Sequence, residues 1–164
     1  MSAYEPGGDQ PAILLEERGQ LVIIRFNRPA TRNSLSREIL SELDHIVSTL
    51  TKRNDLTVII FTGTDDVFAS GANIRELLTL TPETAKEFAR FGQSLMQKID
   101  DAPQLTIAAV NGYCMGGGLD LALACDVRVA SPNAVFAHPG ASLGIITGWA
   151  AHNDCPDSSA RRGH

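Results

Sequence analysis

The amino-acid sequence predicts one α/β domain in which strands alternate with helices. Two segments, 56–63 and 105–110, are apolar almost throughout, as strands buried on both faces are. The segments before and between them carry apolar residues at helical spacing. Because strand, helix and strand follow one another through short links, we expect parallel strands joined by right-handed crossovers. A chain of 164 residues suits a single domain with a sizeable core.

The beginning of the chain predicts a lead-in, a hairpin and a helix. Residues 1–11 contain two prolines and two glycines and are expected to be flexible. Segment 12–27 predicts two short strands around an Arg-Gly turn, and segment 28–33 predicts a loop. From residue 36 to about residue 53, apolar side chains recur every three or four positions. This spacing predicts the first helix.

Further helices are predicted between the two apolar strands and after the second one. Segment 64–80 is expected to be a loop that leads into a short helix. Thr81 and Pro82 predict the start of a longer helix, because the hydroxyl caps the first amides and proline fits the first helical position. Phe88 and Ile99 belong to the apolar stripe of that helix. The apolar segment that follows the glycines described below is also expected to be a helix.

The composition argues against several classes of function. A net charge of −5 and the lack of a basic patch argue against nucleic-acid binding. The sequence shows neither a leader pattern nor an apolar run of about 20 residues, so we expect no membrane association. Cys114, Cys125 and Cys155 lack metal-ligand spacing, and their odd number suits reduced thiols. We therefore expect a cytoplasmic protein without a metal site.

Three consecutive glycines, residues 116–118, open the helix that follows the second apolar strand. A helix start exposes unpaired backbone N–H groups and carries the positive end of the helix dipole. Glycine allows a ligand to approach those groups closely. Asp120 lies three residues after Gly117, and the two therefore share one face of the helix. This arrangement suits a developing oxyanion beside a carboxylate.

Two other interpretations of the glycines stay open at this point. The glycines can simply permit close packing of strand and helix, with Asp120 as a first-turn charge on the dipole. A phosphate-binding loop is the third interpretation. The segment lacks the Lys-Ser/Thr pair of a P-loop and the G-x-G-x-x-G spacing of dinucleotide-binding turns, which argues against it.

A second glycine-bearing segment supports the oxyanion interpretation. Residues 67–77 follow the first apolar strand, just as residues 111–120 follow the second. The carboxyl ends of parallel strands lie at the same edge of a sheet, where the sites of α/β proteins collect. Two such turns can each offer one N–H to the same oxygen atom.

Four segments together resemble the enoyl-CoA hydratase/isomerase (crotonase) superfamily: 27–36, 61–77, 108–131 and 136–145. They occur in the order typical of that family, and the resemblance covers about residues 12–149. It implies a crotonase-like spiral of ββα units as the domain core. It also implies an acyl-CoA thioester as the ligand, with coenzyme A as part of the substrate and no separate cofactor.

The resemblance also assigns roles to individual residues. The backbone N–H groups of Ala72 and Gly117 correspond to an oxyanion hole that stabilises the thioester enolate, and Asp120 corresponds to a catalytic acid/base. The positions that correspond to substrate and CoA contacts are Ala30, Arg32, Ala72, Asn73, Ile74, Arg75 and Gly117. Arg75 can meet the CoA phosphates, although exposure to solvent is the commoner role of such an arginine.

The chain departs from the family at two catalytic positions. The family's hydratases use two glutamates around a water; the first corresponds to Asp120, whose carboxylate is retracted by about 1.5 Å. The second corresponds to Gly140, which has no side chain. Histidine is the side chain that changes charge near neutral pH, and His138 lies two residues from Gly140, although a lone histidine beside a proline is more often structural or exposed. With Asp120 as the sole acid/base, we expect hydration to be very slow or absent; the alternative is a catalytically weak or inactive remnant that at most binds CoA thioesters.

The resemblance ends near Trp149. In the family a C-terminal helical section follows, which closes the acyl pocket and builds trimers or hexamers. We therefore expect a truncated crotonase-like chain without that section. Residues 150–164 are polar and are expected to be a disordered tail unrelated to the family. A shifted reading frame, an isolated domain and a short paralogue are the competing explanations.

Overall fold

The computed structural model describes residues 10–140 and Trp149. Its strands are β1 (Ile13–Arg18), β2 (Leu21–Phe26), β3 (Val58–Thr62), β4 (Val67–Ala69), β5 (Leu105–Val110), β6 (Tyr113–Met115), β7 (Val127–Ala130) and β8 (Val135–Ala137). Its helices are α1 (Arg37–Leu50), α2 (Ile74–Leu77), α3 (Pro82–Asp100) and α4 (Gly117–Ala124), with a 3-10 turn at Pro29–Thr31. Most of the predicted lead-in and all of the predicted tail lie outside the described residues.

The strands form two sheets. The larger sheet has the order β1-β2-β3-β5-β7, and the smaller has the order β4-β6-β8. β1 and β2 are antiparallel, whereas all other neighbouring strands in both sheets are parallel. From β3 onward, each successive pair of strands places its first member in the larger sheet and its second in the smaller one. This repetition is the predicted spiral, and β3 and β5 are the neighbouring parallel strands expected from the sequence.

Side-chain caps define the starts of the two long helices. The Ser36 hydroxyl accepts a hydrogen bond from the Ile39 amide at 3.3 Å, which caps α1. Thr81 and Thr84 form a reciprocal capping box at the start of α3, with Pro82 in the first helical position. Such caps satisfy amides that have no partner within the helix. Both helices were predicted, and α1 ends at Leu50, slightly earlier than expected.

The structure corrects the prediction for segment 64–80 and adds three further strands. That segment is not simply a loop before a helix, because it contains β4. β6, β7 and β8 were not predicted either. The three strands of the smaller sheet have three residues each, which is too short for a two-residue periodicity to stand out. They form because each finds a parallel partner in the folded domain.

Buried side chains from both sheets and the long helices form one core. Phe26 of β2 and Phe68 of β4 meet edge to face, with ring centroids 6.1 Å apart, and this contact joins the two sheets. Leu43 of α1 and Leu95 of α3 are fully buried against the sheets. The core therefore anchors the smaller sheet, where the candidate site lies.

Within the described residues, no helix combines the length and apolar character needed to cross a membrane.

Candidate functional site

The three strands of the smaller sheet end at one edge, and each is followed by a predicted site segment. β4 leads into residues 70–73, β6 leads into residues 116–117, and β8 is followed directly by His138. The Gly116 amide donates to the Ala137 carbonyl at 3.0 Å, which joins the second segment to the third strand. The glycine turns therefore follow the short strands of the smaller sheet, and not the long apolar strands as the sequence suggested.

The two glycine turns approach each other closely. Gly71 has a φ of +89°, a conformation that side-chain-bearing residues rarely adopt. A Cβ at Gly71 would lie 2.8 Å from the Gly117 amide nitrogen and 2.9 Å from the Met115 carbonyl oxygen. Only glycine leaves room for this contact. The backbone beside Ala72 therefore lies against the start of α4.

Several amides at this edge have no hydrogen-bond acceptor in the part of the chain that the structure describes. The Leu119 and Asp120 amides donate to the Gly116 carbonyl at 2.9 and 3.0 Å. Among the described residues, the amides of Gly117, Gly118 and Ala72 donate no hydrogen bond to a backbone or side-chain acceptor. Unused amides at a helix start favour a negative or polarised oxygen. The convergence of the Ala72 and Gly117 amides on one oxygen atom stays a prediction.

Asn33 positions the loop that carries the predicted CoA contacts, and sequence analysis did not identify it. Its side chain is buried; its oxygen accepts from the Arg28 amide at 2.7 Å, and its nitrogen donates to the Val67 carbonyl at 2.8 Å. Arg32 and Asn33 both have positive φ values, of 55° and 48°. Asparagine tolerates this left-handed backbone better than most residues, and this was the available signal.

The Ala30–Arg32 part of this loop lies beside the first glycine turn. The Ser70 amide donates to the Arg32 carbonyl at 3.1 Å, and the Leu35 amide donates to the Gly71 carbonyl at 2.8 Å. The Ala30 and Arg32 side chains are exposed. The two predicted CoA-binding segments are therefore neighbours in space, although their contacts with CoA stay predictions.

Helix α2 carries the remaining predicted CoA-binding residues. The Asn73 side chain caps this helix by accepting a hydrogen bond from the Arg75 amide at 3.0 Å. Ile74 and Arg75 are exposed, with 56% of Ile74 accessible to solvent. Their exposure fits both a ligand contact and an ordinary surface position, so their roles stay predictions.

Asp120 is buried in the first turn of α4, with 2% of the residue exposed. The Nε2 atom of His138 lies 3.7 Å from its Oδ2 atom. Both ring nitrogens of His138 are buried, and neither has a hydrogen-bond partner among the described residues. The structure thus brings together the acid that the sequence singled out and the histidine near Gly140.

Trp149 forms an apolar wall beside the start of α4. Its indole packs so closely on Gly92 of α3 and Gly117 that a Cβ at either glycine would collide with the ring. Phe88 meets the indole edge to face at a centroid distance of 5.5 Å. The tryptophan is 7% exposed. The amide of Gly117 therefore lies next to a large apolar surface.

A cavity of about 490 Å³ lies elsewhere, between α1, α2 and α3. None of the predicted site residues lines it, and Phe88 is the residue that connects its wall to Trp149. The edge of the smaller sheet, and not this cavity, combines a buried carboxylate with amides that find no acceptor within residues 10–140. The lining residues of the cavity are Arg37, Glu38, Ser41, Glu76, Leu77, Thr79, Leu80 and Phe88.

Two of the three cysteines lie in the described residues, and both are buried free thiols. Burial raises the pKa of Cys114 to about 12 and raises the pKa of Cys125 further. Neither thiol is therefore an ionised nucleophile near neutral pH. Within the described residues, no three histidine, cysteine, aspartate or glutamate side chains cluster as metal ligands.

Comparison with solved structures identifies the class of fold. An enoyl-CoA hydratase from Bacillus anthracis superposes with a TM-score of 0.80 at 32% identity, over 84% of this chain and 54% of that one. An enoyl-CoA hydratase from Thermoplasma volcanium gives a TM-score of 0.80 at 36% identity, over 84% and 55% of the two chains. The molecule has the crotonase-like α/β fold that the sequence predicted.

Sequence comparison places the chain within a family. The profile described as enoyl-CoA hydratase/isomerase matches residues 16–156. A short-chain-enoyl-CoA hydratase of Clostridium acetobutylicum is 32% identical, over 84% of this chain and 53% of that protein. A crotonyl-CoA hydratase of Syntrophomonas wolfei is 35% identical, over 88% and 56%. The chain belongs to the enoyl-CoA hydratase/isomerase family, and it spans about half the length of these relatives.

Proposed function

We propose that this chain binds an acyl-CoA thioester and stabilises its enolate between the amides of Ala72 and Gly117. The observation that carries the proposal is the close approach of Gly71 to the Gly117 nitrogen. That approach joins two turns whose neighbouring amides have no acceptor among the described residues. Family membership supplies the substrate class, since the relatives are named as enoyl-CoA or crotonyl-CoA hydratases.

The chemistry needs one base and one place for negative charge. Asp120 takes a proton from C2 of the bound thioester, the electron pair of that C–H bond forms the C1=C2 double bond, and the π pair of the thioester carbonyl moves to its oxygen. The Ala72 and Gly117 amides donate hydrogen bonds to this oxygen as its charge develops. Removal of one such donor typically costs about 10²–10³ in rate. The positive end of the α4 dipole adds to the stabilisation.

The CoA portion is expected to follow the two neighbouring loops. Ala30 and Arg32 lie on the loop held by Asn33, and residues 72–75 continue the other turn. Hydrogen bonds at 3.1 and 2.8 Å already connect these two backbone segments. In this proposal, backbone groups bind the adenine and pantetheine parts, and the exposed Arg75 guanidinium meets a CoA phosphate.

The second candidate function is thioester binding without turnover. Gly140 favours this candidate, because it places no carboxylate where the family's hydratases have their second one. The short stem of Asp120 favours it as well, since a misplacement of about 1 Å can cost about 10²-fold in rate. Turnover separates the two candidates, because both include thioester binding.

Exchange of the C2 protons of butyryl-CoA for deuterium tests enolate formation directly. NMR in D₂O follows the loss of the C2–H signal, with coenzyme A binding measured separately by calorimetry. We expect exchange that depends on the protein and is lost in Asp120→Asn. Binding with no exchange supports the non-catalytic candidate, and the absence of both binding and exchange contradicts the proposed function.

Two substitutions at Gly117 isolate the amide donor. Gly117→Pro removes the N–H and introduces a residue that fits the first position of a helix. Gly117→Ala keeps the N–H and is the matched control, because both substitutions add a Cβ that collides with Trp149. We expect exchange by Gly117→Pro to be about 10²-fold slower than exchange by Gly117→Ala. Equal rates would show that this amide is not a donor to the enolate.

A further inference from the structure

We propose that His138 is the second acid/base group of this site and exchanges a proton with Asp120 during hydration of an enoyl-CoA. This inference rests on the proposed function, because it assumes that the thioester lies at the same edge. It assigns the missing proton-transfer role to a residue that is already present. The separation of 3.7 Å between the His138 Nε2 and the Asp120 Oδ2 is the observation behind it.

The smaller sheet fixes the position of His138. Ala137, at the end of β8, is paired with Met115 of β6, and the Gly116 amide donates to its carbonyl at 3.0 Å. His138 follows immediately, so its backbone is tied to the turn that starts α4. Asp120 is in the first turn of the same helix. The two side chains therefore meet because of strand register, and not through a mobile surface contact.

The state of the imidazole suits a group that acts on a ligand. Both ring nitrogens are buried without a hydrogen-bond partner among the described residues, although 22% of the side chain is exposed. Buried polar atoms are nearly always hydrogen-bonded in proteins, so such a pair of nitrogens requires an explanation. A purely structural histidine would be expected to donate to a neighbouring carbonyl or carboxylate. Here a movement of less than about 1 Å brings Nε2 to hydrogen-bond distance from Asp120.

Hydration requires two proton transfers, and one carboxylate serves only one of them at a time. Gly140 has no side chain that could carry the second proton. In the proposed cycle, Asp120 begins as the carboxylic acid and His138 begins as the neutral imidazole. Carboxylate and imidazolium, whose opposite charges are at ion-pair distance, form the other state of the same pair. In that second state Asp120 can take a proton from C2.

The steps balance in atoms and electrons. Water attacks C3 of the enoyl thioester, its proton passes to His138 Nε2, and the C2=C3 electron pair shifts so that negative charge reaches the thioester oxygen. The enolate then collapses and C2 takes the proton from the Asp120 acid. The product is the 3-hydroxyacyl thioester. A final transfer from the His138 imidazolium to the Asp120 carboxylate restores the starting state.

Two substitutions distinguish proton transfer from mere positioning of Asp120. His138→Gln keeps a hydrogen-bond donor near Asp120 but does not titrate, whereas His138→Ala leaves space for added imidazole. We expect hydration of crotonyl-CoA, followed by its ultraviolet absorbance, to fall at least about 10²-fold in both variants. Added imidazole should restore hydration by His138→Ala several-fold and leave His138→Gln unchanged.

Exchange at C2 of butyryl-CoA is measured on the same samples, because it needs Asp120 and the amides but not His138. Exchange within a few-fold of the unaltered chain shows that each variant is folded and that the proposed function holds. Full hydration by His138→Gln, no rescue of His138→Ala by imidazole, or exchange without any hydration by the unaltered chain would each overturn the role of His138. Failure of exchange in the unaltered chain would instead overturn the proposed function.

Discussion

The backbone polar groups at the two ends of helix α4 differ in their hydrogen bonding. At the C-terminal end, the Arg128 guanidinium donates to the carbonyls of Ala122, Leu123 and Cys125 at 3.3, 3.3 and 2.8 Å. At the N-terminal end, no described residue accepts a hydrogen bond from the amides of Gly117 and Gly118. Helix α4 has eight residues, and within the described part of the chain only its C-terminal end has its backbone groups bound by a side chain.

The two acids near these ends have different neighbours. The Asp126 Oδ2 atom accepts hydrogen bonds from the Thr106 amide at 2.9 Å and the Thr106 hydroxyl at 2.8 Å. Asp120 is more deeply buried, and His138 lies 3.7 Å away, beyond hydrogen-bond distance. A carboxylate that is held by several short hydrogen bonds stabilises the fold. A buried carboxylate beside an imidazole is better suited to proton transfer.

The largest expected effect is loss of C2 exchange in Asp120→Asn, by about 10²–10⁴-fold. Asparagine has the same shape but accepts no proton, so the fold should persist. Because asparagine keeps the shape of the side chain and can still form hydrogen bonds, the free energy of unfolding should fall by no more than about 1 kcal/mol. NMR exchange and urea unfolding on the same sample measure both quantities. A large loss of stability would mean that Asp120 resembles Asp126 and serves the fold.

The next largest effect is expected near the C-terminal end of α4, where the Thr106 amide and hydroxyl donate to Asp126. Asp126→Ala leaves the Thr106 amide and hydroxyl without their acceptor and should lower the free energy of unfolding by about 1–3 kcal/mol. Thr106→Val is the partner substitution, and the double variant should lose less than the sum of the two, since they share one interaction. Exchange at C2 should stay within a few-fold. If the two losses of unfolding free energy measured with urea add up fully in the double variant, the interaction between Asp126 and Thr106 would be contradicted.

A smaller effect on stability is expected where Trp149 packs beside the N-terminal end of α4. Gly92→Ala adds a Cβ that collides with the indole nitrogen, so the ring must shift. Overpacking of this kind costs about 1–3 kcal/mol, partly offset by about 1 kcal/mol from the better helix propensity of alanine. Trp149 is the single tryptophan, so its fluorescence should move to longer wavelength. Ser94→Ala, on the exposed side of α3, is the control, and an identical spectrum for Gly92→Ala would contradict the packing.

The smallest effects on stability near neutral pH are expected from the two buried thiols, Cys114 before α4 and Cys125 after it. In the folded protein, burial raises the pKa of Cys114 from 9.0 to about 12, which corresponds to about 10³-fold less thiolate near pH 8. With Cys155→Ser as the background, Cys114 and Cys125 should react with a thiol reagent only after unfolding. Since the unfolded thiols ionise first, the free energy of unfolding should fall as pH rises from about 9 toward about 12. Rapid labelling at pH 8 without unfolding would contradict their burial.

The elements with strong local signals were predicted from sequence. Ser36 and Thr81 cap the two long helices, and apolar periodicity or continuity identified β3 and β5. The strands of the smaller sheet were missed because three residues carry too little pattern. Their pairing depends on partners far along the chain, such as Met115 with Ala137. Local sequence therefore predicted four of the five strands of the larger sheet, all except β7, and left the smaller sheet undetected.

The candidate site divides in a similar way. The glycines beside Ala72 and Gly117 stood out because glycine is unusual at a helix start, and Asp120 stood out because of its spacing. The role of Asn33 was missed, although asparagine tolerates its left-handed conformation. The contacts of Trp149 with Gly92 and of His138 with Asp120 join residues of different elements. No local pattern encodes such contacts, since they follow from how the spiral stacks.

The groups of the proposed site are synthesised in a fixed order, because they follow successive strands of the smaller sheet. Ala72, Gly117 and His138 each follow one strand of the smaller sheet, and they leave the ribosome in that order. At about 5–20 residues per second, several seconds separate the synthesis of the first from that of the last. In the proposed site, the two amide donors and the Asp120 carboxylate are therefore synthesised before the His138 imidazole. The groups proposed for C2 exchange are complete before the group proposed for hydration is added.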